Sequence, residues 1–254
     1  MITAWVAERG VQLGQIATEE KSNEITAIPA LLDTLDVRGA TVTIDAEGCQ
    51  KKIAEKIVDG GANYLLALKA NHSTLHQEVV TYFEHAQQDR TIDAKPLATH
   101  ETADKGHGRL EARRVWCSDD LEWMSERKHW KGLRTIVMIE RERVVAGETS
   151  VEKAYYLSSH APDAARIGGL ARRHWSIENE LHWVLDMVFD EDQSRIRDRN
   201  AATNLALLRK LALALLKREQ SDPRMSIKMK RRRVGWDNDY LFAVLSAVTP
   251  PTSS

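Results

Sequence analysis

Residues 40–69, ATVTIDAEGCQKKIAEKIVDGGANYLLALK, decide the fold. The β-branched run ATVTID at 40–45 ends in an acid, and after Gly48 a helical pattern runs through Ile53, Ile57 and Val58. Gly60-Gly61 stops that helix, and NYLLALK at 63–69 has the continuous apolar character of a strand buried on both faces. The three pieces predict a β-α-β unit. Its crossover places both strands in one parallel sheet and Asp45 at a carboxyl end, where α/β folds usually build their sites.

Toward the N-terminus, AWVAE (4–8) and VQLGQIA (11–17) flank Arg9-Gly10 and predict a β-hairpin turned at a residue that tolerates positive φ. Ser22 or Asn23 is placed to cap a helix to about Asp36, with Leu31, Leu32 and Leu35 on one face and Pro29 as a start or kink. In the other direction, Ser73 is expected to cap a helix to about Gln88. From about 97 to 159 the runs VWCS, LRTIVMIE and KAYYLSS, separated by charged turns, predict a mostly β insertion. From 163 onward the chain reads as helical, first to about Phe189 and then through NAATNLALLRKLALALLKRE, which is apolar enough to pack deeply.

A chain of 254 residues with 43% hydrophobic and 29% charged residues can bury a sizeable core, which excludes low complexity and disorder as descriptions of the whole. No stretch approaches the roughly 18 uninterrupted apolar residues of a membrane span, so no membrane partner is expected and the cytoplasm is the default location. Cys49 and Cys117 form no framework of spaced pairs. The net charge of −1 hides a division: residues 195–234 carry thirteen Lys and Arg against three Asp and Glu. That asymmetry suggests a polyanion partner near the C-terminus, although a solvated helix face followed by a floppy tail would give the same count. The expected organisation is a body over 1–220 and a basic tail over 221–254.

In the first late helix, Ile177, Leu181, Val184 and Val188 recur as an apolar stripe, and His174, Glu178, His182 and Asp186 recur at four-residue spacing beside it. Docked by the stripe, such a helix would hold Glu178 at the border of core and solvent. Exposed helices gain a few tenths of a kcal/mol from acid–histidine pairs at i,i+4, so the row also has a purely structural explanation. Zinc fits poorly, since the row lacks the H-E-x-x-H spacing and one straight helix cannot surround a tetrahedral ion. Asp45 at a strand's end is open to the same duality, because caps and turns also place Asp there. If the two carboxylates act together, their oxygens suit hard divalent cations, which activate water or a 3′-hydroxyl and stabilise the leaving oxygen of an in-line phosphoryl displacement. Cys49 follows Gly48 at a helix start, which could lower a thiol pKa, but with no histidine close in sequence it reads as a packing residue. Gly106 and Gly108 in KGHGR are too few for a phosphate loop; they are expected to form a turn whose Lys105, His107 and Arg109 are candidates to touch DNA.

TIDAEGCQ (43–50), DKGHGRLEARR (104–114) and HWSIENELHWVLD (174–186) closely resemble the H-repeat-associated insertion-sequence transposases, or ISAs group, of the DDE superfamily. The likeness runs in order from the first hairpin to GWDNDYL near the C-terminus. It implies an α/β, RNase H-like mixed sheet with flanking helices, with Asp45 as the second catalytic Asp and Glu178 as the catalytic Glu. It also implies Mg²⁺ or Mn²⁺ as cofactor, and DNA, at element ends and target, as partner. By likeness to transposases that pair two ends, a homodimer is expected. The superfamily often has Tyr and Arg seven and four residues before the Glu; here Ala171 and His174 stand there, with Arg172 and Arg173 nearby as candidate DNA contacts.

Family members carry their first catalytic Asp in an I-D-G-K-T-like strand upstream of the hairpin, and no such motif occurs in these residues. The expectation is an N-terminally truncated catalytic domain, missing its first catalytic strand, with unpaired strand edges and little activity alone. A non-catalytic DNA-binding remnant, using Arg195, Arg197, Arg199 and the cluster from Lys228 through Lys230, Arg231, Arg232 and Arg233, is the alternative from another class. A generic RNase H-like nuclease is the third.

Overall fold

The structure, a computed structural model, describes residues 2–16, 24–88, 95–106 and 109–246. It divides into two compact units, Thr18–His174 and Met1–Ala17 with Trp175–Ser254.

In the first unit the β-α-β prediction holds. β3 (Thr41–Ile44) and β4 (Asn63–Leu68) are parallel, joined by helix α2 (Lys51–Asp59). Helix α1 (Glu24–Asp33) precedes them, with Pro29 inside it; Ser22 and Asn23 lie outside the described residues. Helix α3 (Ser73–Gln88) follows β4, but Ser73 is its first helical residue rather than its cap, because a 3₁₀ turn at Ala70–His72 already brings the chain in helically.

The predicted β insertion is not a separate body. β5 (Ala98–Gly106), β6 (Arg109–Ser118), β7 (Thr135–Val145) and β8 (Glu148–Ser158) form an antiparallel meander, and β8 pairs with β4 from Leu65↔Ser158 to Leu68↔Tyr155. The result is one six-stranded mixed sheet ordered β3-β4-β8-β7-β6-β5. The inner ends of the meander are apolar on both faces, which suits them to the sheet's centre. Tyr64, Leu66, Leu68, Ile136, Met138 and Leu157 pack with Ile53, Ile57, Val79 and Phe83 of α2 and α3. On the opposite face Leu65, Val115, Cys117, Val137 and Tyr156 meet Ala164, Ile167 and Ala171 of α4 (Ala164–Ile177). Small residues bring α4 close: a Cβ on Gly168 would lie 2.9 Å from Val115 Cγ2. Helices therefore cover both faces, as a parallel pair requires. The outer ends of the meander are held instead by charge pairs, with Arg114 reaching Glu101, Glu140 and Glu142 at 3.2, 2.9 and 3.1 Å.

The second unit contains the expected hairpin, β1 (Ile2–Val6) and β2 (Val11–Ile16), closed at Gly10 with φ +61°. With it are a π-helical turn (Glu178–His182), α5 (Trp183–Phe189), α6 (Arg199–Arg218), α7 (Ile227–Val234) and α8 (Asn238–Ser246). Leu181, Val184, Leu185, Val188 and Leu213 form its core, with Trp5 packed against them. Lys210 of α6 is buried and donates to Thr3 Oγ1 (2.8 Å) and Gln15 Oε1 (3.2 Å), tying helix to hairpin.

The boundary expected at 220 is not where the compact units divide. α7 and α8 pack on α6 through Leu216, Tyr240 and Val244, so residues 221–246 are folded rather than a tail. Among the described residues no helix is long and apolar enough to cross a membrane.

Candidate metal and nucleic-acid site

β3 alternates cleanly. Val42 and Ile44 pack toward α2 and α3, while Thr41 and Thr43 face the other way, each bound to a histidine. Thr41 Oγ1 lies 2.9 Å from His160 Nε2, and Thr43 Oγ1 lies 3.0 Å from His174 Nδ1. Burial, with Arg166 and Arg134 adding to it, lowers the His160 pKa and favours the neutral ring. Extending the alternation by one residue puts Asp45 on the polar side.

Asp45 is exposed just beyond the end of β3, and its Oδ1 accepts a long hydrogen bond from the Gly48 N–H at 3.4 Å. The turn after β4 holds its loop. Asn71 Nδ2 donates to the Ala46 carbonyl, and His72 Nε2 donates to the Cys49 carbonyl at 2.6 Å. Asn71 and His72 carry no pattern of their own in the sequence; the one available signal is their place just past a buried parallel strand. Gly48 is required by packing, since a Cβ there would lie 2.3 Å from Ile44 Cγ2 and 2.8 Å from Ile28 Cδ1. Cys49 is fully buried and burial pushes its thiol up to about 12, overriding any effect of the helix start.

Glu178 opens the π-helical turn between α4 and α5; its side chain lies outside the described residues. The predicted straight row His174-Glu178-His182-Asp186 is therefore broken, because i→i+5 bonding widens the turn and shifts the register across 178–182. The apolar stripe survives, with Leu181, Val184 and Val188 buried and Leu185 added to it. Such π turns occur often at functional sites. Asp45 and Glu178 belong to different compact units, and each is placed within its own.

Among the described residues no three His, Cys, Asp or Glu side chains gather as a metal cluster. In donor chemistry Asp45 fits Mg²⁺ or Mn²⁺: a hard oxygen ligand, solvent-accessible and only weakly hydrogen-bonded.

The cationic candidates differ in exposure and pairing. Lys105 is exposed near the end of β5, while His107 and the Arg109 side chain lie outside the described residues. Arg172 pairs with Asp104, next to Lys105, at 2.9 Å, and exposed Arg173 donates to the Gly169 carbonyl at 3.4 Å. Arg195 and Arg197 are exposed in the segment before α6. Lys230 is a correction: it is 3% exposed, 3.2 Å from Glu219 Oε2, and donates to the Leu216 and Glu219 carbonyls, so it is not available to DNA. Arg231 lies over Phe189 and 3.9 Å from Asp190, Arg233 pairs with Asp237 at 2.9 Å, and Arg232 is exposed.

Residues 1–215 match the family described as the transposase DDE domain. The chain is 40% identical over 251 residues to the "Putative transposase YncI" of Escherichia coli O157:H7, covering 97% of this chain and 63% of that protein. It is 36% identical to the "H repeat-associated putative transposase YhhI" of Escherichia coli (strain K12), covering 97% of this chain and 65% of the relative. The chain thus spans somewhat less than two thirds of the length of these relatives.

Proposed function

Because the chain belongs to the transposase DDE-domain family, we propose that it is a transposase-derived catalytic part for metal-dependent DNA strand cleavage and transfer at insertion-sequence ends. The observation that carries this is the exposed Asp45 carboxylate at the carboxyl end of β3, on a loop pinned by Asn71 and His72, within the matched residues. Asp45 and Glu178 would hold Mg²⁺ or Mn²⁺, which supplies Lewis-acid activation of the attacking hydroxyl and stabilisation of the leaving oxygen. The chain's own residues orient the first of these carboxylates: the Gly48 N–H bonds to Asp45, and the Asn71 clamp holds its loop.

The RNase H-like identity of the fold, a further strand carrying a third carboxylate, and pairing of two copies on two DNA ends belong to the same proposal. So do DNA contacts by Lys105, His107, Arg109, Arg172, Arg173, Arg195, Arg197, Arg231, Arg232 and Arg233, and action in the cytoplasm, where bacterial DNA lies. These 254 residues supply two of the three carboxylates, so strand transfer by them alone is expected to be weak.

The test is end cleavage, comparing this chain with a version extended by the upstream part of its relatives. The extended protein should cut in Mg²⁺, stop in EDTA, and lose about 100-fold or more with Asp45→Asn or Glu178→Gln. Cleavage that survives both substitutions overturns the carboxylate assignment, and robust cleavage by the unextended chain overturns the weakness.

A further inference from the structure

The fold sorts the basic residues of α7 into two sets. Lys230 turns inward onto Glu219, while Arg233, its side chain 40% exposed, pairs with Asp237 and lies over the Tyr240 ring at 4.4 Å. Lys228, Arg231 and Arg232 remain exposed. Past α7 the chain keeps a helical course: Gly235 has φ −75° and ψ −14°, its N–H bonds to the Arg232 carbonyl at 2.9 Å, and Trp236 N–H bonds to the Arg233 carbonyl at 3.1 Å. Lys228, Arg232 and Trp236, at i, i+4 and i+8, consequently share one face. Trp236 is 69% exposed, and no acid occurs between Asp222 and Asp237. Behind the face, Glu219 pairs with Lys230 of α7 at 3.2 Å and accepts from Tyr240 Oη at 2.6 Å.

A cationic row ending in a bare indole matches a ligand that is both polyanionic and flat. Duplex DNA satisfies the cations but hides its base faces, and an acidic protein surface offers a ring only where its own sequence happens to supply one beside the acids. An unpaired strand presents both, and base–aromatic stacking tolerates any sequence. The row rises about 12 Å from Lys228 to Trp236, the length of three to four stacked nucleotides at about 3.4 Å each. We propose that the Lys228–Arg232–Trp236 face grips an unpaired DNA strand, with phosphates on Lys228 and Arg232 and a base stacked on Trp236. This rests on the reading of DNA as the substrate and adds where, and in which form, the strand is held.

Binding of the 254-residue chain to fluorescent oligothymidine and to a duplex of equal length tests it, with anionic phosphatidylserine vesicles as a third probe. Trp236→Ala should weaken oligothymidine binding about tenfold and Trp236→Phe should largely restore it, with duplex binding unchanged. Lys228→Ala with Arg232→Ala should weaken both DNA probes and lower the single-strand salt slope by about 1.4. These exposed positions should leave the melting temperature unchanged. Oligothymidine binding that ignores Trp236→Ala or the double alanine overturns this proposal and leaves the DNA reading intact. Failure of the wild-type chain to bind either DNA overturns both. Vesicle binding that needs Trp236 while DNA binding does not assigns the face to a lipid surface and overturns the proposal.

Discussion

Thr43 Oγ1 and His174 Nδ1 lie 3.0 Å apart, joining β3 two residues before Asp45 to α4 four residues before Glu178. The Thr43 side chain is isosteric with valine, so Thr43→Val removes the partner without creating a void. The variant should lose about 1 kcal/mol in urea denaturation and Thr43→Ser much less. Equal losses for Val and Ser would mean that packing, not the hydrogen bond, matters there.

Gly48 has no room for a side chain between Ile44 and Ile28. Gly48→Ala should destabilise the chain by about 1–3 kcal/mol, as overpacking does. It should also displace the Asp45 loop, which magnetic resonance shifts of Asp45 and Asn71 would report. A variant as stable as the parent would show that the neighbouring isoleucines yield freely.

Glu219 is buried at the end of α6. Burial opposes its ionisation, but hydrogen bonds from Ser221, Tyr240 and Lys230 outweigh that cost and hold its pKa at about 2, below the ordinary 4.5. A depressed carboxylate pKa stabilises the fold above the unfolded value, and that stability is lost as pH falls from about 4.5 toward 2. Amide exchange in α7 and α8 should accelerate over that window, and Glu219→Gln should flatten the dependence. Lys230→Met takes the cation from a buried carboxylate and should cost about 3–5 kcal/mol at neutral pH. A cost near zero would place Lys230 in solvent.

Burial pushes the thiols of both Cys49 and Cys117 up to about 12. Neither should react with iodoacetamide at pH 8 until the chain unfolds, so alkylation should track the unfolding transition. Fast labelling of native protein would contradict the buried placement.

What was legible in the sequence followed from burial with a period. Leu65 and Leu66 pack on opposite faces of the sheet, so a continuous apolar run announced a strand covered on both sides. Gly10 and Gly60-Gly61 announced their turns because backbone geometry is a local property. β5 escaped detection because its partners are charges: Glu101 and Asp104 are matched by Arg114, Arg113 and Arg172 from other elements.

Local pattern was enough for the β-α-β unit, the position of Asp45 at its carboxyl end, the hairpin, and the membership carried by three ordered motifs. It took the three-dimensional packing to reveal that β8 docks on β4 and makes the expected insertion part of the main sheet. That packing alone decided that a π turn starts at Glu178, and that Lys230 belongs to the core while its neighbour Arg231 does not. Periodicity records which side of an element is apolar, whereas strand partners, a shifted helical hydrogen bond and a counter-ion eleven residues away are settled by contacts that no local window contains.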